Sequence, residues 1–307
     1  MIEKNENQID FIGDIHGHAD KLKELLGKLG YTEDKGIFSH PERSVLFVGD
    51  YIDRGPKIPE TLQIVKGMVD SKNAVALMGN HEYNALCFDY PDKKGGHLRP
   101  HLIKNVMQHY QTLKQFQNRQ HEYEHYLEWF KTLPLFYETN TFRAVHACWD
   151  DKYIDRLQKE LANNCMDEYS LYRSVKKHSK FHNAIENTLK GKEIELPEGK
   201  TFMDKDDTTR KKIRIKWWLN PANTSYQKIS VLPIDGLQDE QVGIKNARFY
   251  RKSHKPVFFG HYWLNGDPSL YRTNICCLDY SVAKEGKLVA YRFNGEQELS
   301  KNNLVYV

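Results

Sequence analysis

Residues 9–18 read IDFIGDIHGH, an apolar run that ends abruptly on aspartate and histidine. The pattern recurs in four further segments: SVLFVGD at 44–50, AVALMGNH at 74–81, FRAVH at 142–146 and PVFFGH at 256–261. Short apolar runs bounded by glycine indicate buried strands. Because ligands of open α/β sheets bind outside the carboxyl ends of the strands, the sequence predicts one site where these polar side chains converge.

Helical patterns separate the first three predicted strands. Residues 19–29 place leucines at helical spacing, and residues 59–69 begin with a proline that is typical of a helix start. This β-α-β order predicts parallel strands covered by helices. Later segments predict a hairpin and three more strands, at 135–138 with 141–145, 256–260, 274–279 and 287–293.

The bulk composition excludes several classes of protein. The 307 residues are 39% hydrophobic and 28% charged, so the chain is neither disordered nor membranous, and we expect no membrane partner. Residues 1–8 are polar and contain no apolar signal region, which favours a cytoplasmic location. The mild net charge of +4 allows an anionic substrate, and it leaves nucleic acid open as a partner without indicating it.

Side chains that could bind metal ions follow the predicted strands. Asp14 and His16 lie two residues apart and could bind one ion, while the two carboxylate oxygens of Asp50 suit a bridge between two ions. A second ion would take ligands from Asn80, His146 and His261. This mixed oxygen and nitrogen set suits manganese, iron, zinc or nickel. Two such ions can stabilise both the attacking and the leaving oxygen of an in-line displacement.

A simpler interpretation exists for each of these residues. An aspartate or histidine at a strand end, taken alone, is more typical of a turn or a hydrogen-bonded loop. Six such residues at five strand ends, most of them beside a glycine, favour a shared site.

The same segments resemble the signature motifs of phosphoprotein-phosphatase-type (calcineurin-like) metallophosphoesterases. The matching blocks, in the family's order and spacing, are GDIHGH at 13–18, GDYIDRG at 49–55, GNHE at 79–82, VHA at 145–147 and GH at 260–261. Residues 274–290 resemble the bacterial branch, which includes diadenosine tetraphosphatases and Ser/Thr phosphatases. The resemblance covers roughly residues 9–85, 142–150 and 255–293.

This resemblance implies an α/β (α+β) fold, a layered β-sandwich of mixed sheets flanked by helices. It also implies the assignment of the ligands. Asp14, His16 and Asp50 would bind the first divalent ion, and the second would be bound by Asp50, Asn80, His146 and His261, with manganese the foremost candidate. We interpret residues 1–307 as a single domain with an inserted cap or variable region at about 151–254.

The resemblance further implies roles in substrate binding and proton transfer. His81 would be the general acid, and Asp53 would accept its other N–H. A nearby carboxylate raises an imidazole pKa and fixes the orientation of the ring, which suits this role. Arg54 would bind phosphate oxygens through its planar fork. Asp279 would line the substrate site, and a structural role at a strand end is an equal alternative.

One segment departs from the family pattern, and two others lie outside it. Eukaryotic members carry a second phosphate-binding arginine after a tryptophan-containing segment; here Trp217 and Trp218 resemble that segment, but no arginine follows until Arg248. Residues 210–218 alternate basic and apolar side chains, which favours a half-buried strand over a site for an anionic tail or nucleobase. The histidines and tyrosines of residues 101–126 are expected on helix surfaces rather than around a metal.

The predicted activity is hydrolysis of phosphate esters or anhydrides by a metal-bridging hydroxide, without a covalent enzyme intermediate. The substrate would be a phosphorylated protein, a nucleotide such as a dinucleoside polyphosphate, or a small molecule. One alternative is a phosphodiesterase or nuclease on the same scaffold. The other is a non-catalytic phosphate-binding module, which the presence of His81, Asp53 and Arg54 disfavours.

Overall fold

Two mixed β-sheets face each other in this computed structural model, which describes residues 5–203, 209–234, 237 and 240–307. The strands are β1 (Ile9–Ile12), β2 (Thr32–Asp34), β3 (Ile37–Ser39), β4 (Ser44–Phe47), β5 (Ala74–Ala76), β6 (Phe136–Glu138), β7 (Arg143–Val145), β8 (Glu193–Glu195), β9 (Phe202–Met203), β10 (Thr209–Arg210), β11 (Lys212–Arg214), β12 (Val257–Phe259), β13 (Ile275–Cys277), β14 (Asp279–Tyr280), β15 (Lys287–Phe293) and β16 (Leu304–Tyr306). The helices are α1 (Ala19–Lys28), α2 (Ile58–Asp70), α3 (Asn80–Asp89), α4 (Ile103–Gln115), α5 (Gln120–Phe130), α6 (Asp151–Glu160), α7 (Glu168–Ser174), α8 (Lys180–Lys190) and α9 (Tyr226–Ile229).

The order of strands confirms the predicted mixed architecture. The first sheet has the order β14-β15-β1-β4-β5, with β16 paired to β15. Within it β1, β4 and β5 are parallel, and β15 runs antiparallel to β1. The second sheet has the order β13-β12-β7-β6, with β7, β12 and β13 parallel and the predicted β6–β7 hairpin antiparallel.

Aromatic side chains fill the space between the two sheets. The ring of Phe11 from the first sheet stacks on Phe258 from the second, with centroids 3.7 Å apart, and Phe142 meets Phe11 edge-on at 4.9 Å. The alternate side chains of the same strands, such as Ile12 and Phe259, belong to the core that the helices cover. Because both faces of these strands are buried, their sequences are continuous apolar runs rather than alternating ones.

The region proposed as a cap has two parts that differ in packing. Helices α6 and α8 contribute Leu157 and Ile185 to the main core. A separate small core follows, which includes Leu196, Ile213, Ile215, Tyr226 and Ile229. Residues 204–208, 235–236 and 238–239 of this region lie outside the described residues, and the cap at about 151–254 stays a prediction. Among the helices that the structure describes, none has the length and apolar character needed to cross a bilayer.

Candidate active site

The carboxyl ends of five strands bring the six predicted ligands to one edge of the sandwich. The ligands, all buried, follow β1 (Asp14 and His16), β4 (Asp50), β5 (Asn80), β7 (His146) and β12 (His261). This convergence is the geometry that the strand-end pattern predicts. The parts that these side chains play in binding metal stay predictions.

Asp50 lies at the centre of the cluster. Its Oδ2 is 3.6 Å from Nε2 of His16 and 3.9 Å from Nε2 of His81, and its Oδ1 is 3.4 Å from Nε2 of His146. Among the residues that the structure describes, two groups of ligand atoms that lie within 4.8 Å of one another could hold a metal ion: His16 with Asp50 and His81, and Asp50 with His146 and His261. Both groups share Asp50, so its two oxygens face two neighbouring positions for a cation.

Asn80 and Asp14 differ in how they approach the cluster. Oδ1 of Asn80 lies 2.7 Å from Nδ1 of His261 and 3.1 Å from Nε2 of His146, beside the second group. Asp14 belongs to neither group; its Oδ2 accepts a hydrogen bond from the backbone N–H of His261 at 3.0 Å. Burial, together with the carboxylates of Asp279 and Asp50, raises the pKa of Asp14 well above its usual value. A cation next to Asp14 would offset this repulsion.

Two of the histidine side chains, those of His16 and His146, are oriented as metal-binding histidines are. Nδ1 of His16 donates to the carbonyl of Ile52 at 2.9 Å, and Nδ1 of His146 donates to that of Val48 at 2.8 Å. Nε2 of His16 is buried and has no hydrogen-bond partner among the described residues. Burial lowers the pKa of His16 well below its usual value, which keeps a lone pair on that nitrogen. Because ligating histidines commonly donate their other N–H to a carbonyl, this donor set fits a divalent cation.

The backbone around the site is held in an uncommon conformation. Left-handed φ angles occur at His16 (46°), Asp50 (58°), Asp53 (67°), Arg54 (67°) and His261 (76°). Each such non-glycine residue costs about 1–3 kcal/mol, and such strain clusters at functional sites. The surrounding fold must therefore stabilise these five positions.

Two glycines allow the loops to approach one another closely. A Cβ atom at Gly260 would lie 1.8 Å from Oδ1 of Asp14, and one at Gly79 would lie 2.2 Å from Oδ1 of Asp50. No larger residue fits at either position without displacing a predicted ligand.

Glu82 connects these loops through hydrogen bonds to their backbone, a role that the sequence does not reveal. Its carboxylate accepts backbone N–H groups of Asp50 at 2.9 Å, Tyr51 at 2.8 Å and Gly79 at 2.9 Å. Burial and the neighbouring Asp50 raise the pKa of Glu82 to about 7. The fourth residue of the GNHE block thus positions the loop that carries Asp50.

His81 and Asp53 form a buried pair. Nδ1 of His81 lies 2.5 Å from Oδ2 of Asp53, as the predicted general acid requires. Oδ1 of Asp53 accepts from Nδ1 of His109 at 2.7 Å and from Oγ1 of Thr112 at 2.5 Å, both on α4. Burial raises the pKa of Asp53, but these histidines outweigh it and hold that pKa well below the usual range. The aspartate therefore stays ionised.

The expectation of surface aromatics over residues 101–126 was wrong for several members. His109, Tyr123 and Tyr126 are buried, and the hydroxyl of Tyr123 lies 2.7 Å from Nε2 of His109. Their spacing shows only that one face of α4 and α5 carries rings; it contains no sign that this face meets the loop of Asp53.

Arg54 and Asp279 are connected through Trp263. The guanidinium carbon of Arg54 lies 3.6 Å from the ring centroid of Trp263, and Nη2 of Arg54 lies 3.2 Å from Nε2 of His81. Oδ2 of Asp279 accepts from the backbone N–H of Trp263 at 2.7 Å, and its Oδ1 accepts from that of Ser281 at 3.0 Å. Asp279 thus supports the ring on which Arg54 rests, and its contact with substrate stays a prediction.

Arg214 reaches the cluster from β11 and was also missed. Its Nη1 donates to Nε2 of His261 at 3.0 Å. Ile213 and Ile215 are buried on the other face of the strand, so the half-buried strand predicted for residues 210–218 is confirmed there. On the face of the strand that was expected to be solvated, the side chain of Arg214 instead extends toward the cluster of predicted ligands. An arginine before the tryptophans, rather than after them, occupies the edge of the cluster.

The chain matches a family model and several curated relatives. The family model described as calcineurin-like phosphoesterase matches residues 8–231. Among curated relatives, the asymmetrical bis(5'-nucleosyl)-tetraphosphatase PrpE of Geobacillus sp. (strain WCH70) is 32% identical over 158 residues, 50% of this chain and 62% of that protein. The symmetrical bis(5'-nucleosyl)-tetraphosphatase of Neisseria meningitidis is 31% identical over 137 residues, 44% of this chain and 41% of that protein.

A solved structure is similar over most of the chain. The cold-active protein-tyrosine phosphatase of a psychrophilic Shewanella species has a TM-score of 0.49 and 16% identity, covering 96% of this chain and 80% of that one. The chain spans about half of the length of the curated relatives it matches. Since the family model extends over residues 8–231, the chain belongs to the calcineurin-like phosphoesterase family.

Proposed function

We propose that this protein is a hydrolase of phosphate esters or anhydrides that uses two divalent metal ions, with manganese the foremost candidate. The observation that carries the proposal is the position of Asp50, whose two oxygens face two separate groups of ligand atoms. When bound, two such ions supply a hydroxide nucleophile and stabilise charge on both the attacking and the leaving oxygen. The remaining contributions come from side chains of this chain.

His81 would protonate the leaving oxygen. Its Nδ1 is held by Asp53, so its Nε2 faces the cluster, 3.9 Å from Oδ2 of Asp50. The ionised Asp53 accepts the N–H of Nδ1 and fixes the plane of the ring, which directs Nε2 toward the leaving oxygen.

Arg54 and Arg214 would bind the transferred phosphoryl group from two sides. Arg54 lies against His81, and Arg214 lies against His261 at the other end of the cluster. Guanidinium groups bind phosphate oxygens through paired N–H donors. Arg214 would thus bind phosphate oxygens as the second arginine of the eukaryotic family members does, from a different position in the chain.

The curated relatives favour phosphoanhydrides among the candidate substrates, because the names of two of them are bis(5'-nucleosyl)-tetraphosphatases. The cytoplasmic location remains our proposal from the polar residues 1–8.

A substrate panel with metal control tests the proposal. The purified chain is incubated with a chromogenic phosphomonoester, its diester and inorganic tripolyphosphate, with added manganese and again after chelation. Metal-dependent release of phosphate from the monoester or tripolyphosphate supports the proposal. Cleavage of the diester alone supports a phosphodiesterase instead, and no turnover on any of the three would indicate a non-catalytic binding module.

A further inference from the structure

A cavity of about 120 Å³ adjoins His81 and is lined by Arg54, Asn84, Arg99 and Gln108, among others. A cavity of this volume has room for several water molecules or a small polar group. A general acid gives its proton to the leaving oxygen. Whatever that oxygen carries must therefore lie beside His81, where this cavity is.

Arg99 brings a positive charge to this cavity. Its Nη1 donates to Oδ1 of Asn84 at 3.0 Å, and its Nη2 donates to Oε1 of Gln108 at 2.7 Å. Both of these partners are neutral amides that also line the cavity, so they orient the guanidinium without forming an ion pair with it; the ionised Asp53 lines the cavity as well. Among the described residues, no ion pair joins Arg99 to a carboxylate.

The segment that carries Arg99 is tied to α3. The backbone N–H of Arg99 donates to the carbonyl of Cys87 at 2.7 Å, and that of Leu98 donates to the carbonyl of Tyr90 at 2.9 Å. Nδ2 of Asn105 on α4 donates to the carbonyl of Pro100 at 2.8 Å. A fixed, partly buried guanidinium with neutral partners is suited to an anion, because its position costs no reorganisation when the ligand binds.

We propose that Arg99 binds an anionic phosphate of the leaving group, so that the preferred substrates are phosphoanhydrides rather than simple phosphate esters. The proposal rests on the proposed function and adds to it the chemistry of the leaving group. In the reaction, the oxygen of water bonds to the terminal phosphorus and the P–O bond to the bridging oxygen breaks. The bridging oxygen stays on the remaining phosphate chain and takes a proton from His81. Arg99 binds the phosphate that carries this oxygen.

The test compares two substrates that differ in the leaving group. With manganese present, kcat/KM is measured for two substrates. The leaving group of inorganic tripolyphosphate is pyrophosphate, whereas the leaving group of p-nitrophenyl phosphate carries no phosphate. Arg99→Gln is expected to lower kcat/KM for tripolyphosphate, relative to kcat/KM for p-nitrophenyl phosphate, about 10- to 100-fold. This is the range for the loss of a charge-assisted hydrogen bond. Arg99→Lys keeps the charge but lacks the fork, so it should recover part of the ratio.

The matched control is Arg119→Gln, the same change at an exposed arginine that immediately precedes α5 and pairs with Glu122. This variant should keep the wild-type ratio. The proposal would be overturned if Arg99→Gln lowered kcat/KM equally for both substrates or for neither. It would also be overturned if the wild-type protein cleaved p-nitrophenyl phosphate but not tripolyphosphate.

A binding measurement separates this proposal from the proposed function. Calorimetric titration of the manganese-loaded protein with pyrophosphate should show weaker binding to Arg99→Gln than to wild type by a similar factor. If wild type cleaves neither substrate, the proposed function fails, and this titration still decides whether Arg99 belongs to a phosphate site. Equal affinity of the two proteins for pyrophosphate would overturn that assignment.

Discussion

His109 donates from Nδ1 to Oδ1 of Asp53 at 2.7 Å, while His81 occupies the other oxygen of the same carboxylate. The hydroxyl of Tyr123 completes a buried row of polar groups that extends from α5 to the cluster. Asp53 is therefore fixed from the side opposite His81. A residue that fixes Asp53 also fixes the direction in which His81 points.

Replacing His109 should weaken proton donation by His81. His109→Phe keeps a ring but removes the hydrogen bond, and we expect kcat to fall about 10- to 100-fold, as for other lost partners of this kind. The fall should be larger for phenyl phosphate than for p-nitrophenyl phosphate, because the more basic leaving group depends more on the acid. Steady-state kinetics with both esters measure this. An equal fall for the two would indicate a structural role only; His121→Phe, on the exposed surface of α5, is the control.

Removing the acid itself should separate chemistry from metal binding. His81→Ala is expected to lower turnover by about 10²- to 10⁴-fold, the range for a lost general acid. Metal content should remain that of wild type if His81 serves only as the acid. Loss of metal from this variant would instead make His81 a ligand, as its place in the group with His16 and Asp50 allows.

Arg214 should govern affinity for phosphate. Arg214→Gln is expected to raise the inhibition constant of inorganic phosphate about 10-fold or more, because a charge-assisted contact with the anion is lost. Lys212→Gln, on the same strand with an exposed side chain, is the matched control and should behave as wild type. Unchanged inhibition in Arg214→Gln would show that Arg214 does not contact the anion.

The aromatic layer between the sheets should dominate the stability of the sandwich. Phe258→Ala removes a fully buried ring that stacks on Phe11, and we expect the free energy of unfolding to fall by about 3–5 kcal/mol. Urea denaturation measures this change. Tyr169→Ala, at a side chain that is 70% exposed, should change it by no more than about 0.5 kcal/mol. Similar values for the two variants would contradict this account of the core.

The strand ends could be predicted from the sequence because burial on both faces leaves an unbroken apolar run. Each such run, followed by glycine and a polar residue, marks where the chain leaves the sheet, and that is how Asp14, Asp50 and His261 were found. The resemblance to a known family assigned Asp53 and Arg54. Both kinds of signal are local in the chain.

The residues that were missed depend on contacts between distant segments. His109 lies on a helix whose sequence does not show which loop it meets, and the position of Arg214 depends on which face of β11 turns toward the cluster. Arg99 follows a turn that packs on α3 through backbone hydrogen bonds, which side-chain patterns do not reveal. Only the folded arrangement identifies these three residues.

Metal stoichiometry tests the central claim most directly. Equilibrium dialysis against manganese, followed by elemental analysis, is applied to wild type and to Asp50→Asn, which keeps the size of the side chain but loses the bridging charge. We predict two ions per chain for wild type, and for Asp50→Asn a loss of bound metal together with activity. A wild-type protein that binds no manganese, or an Asp50→Asn protein that binds two ions as tightly as wild type, would contradict a cation pair centred on Asp50.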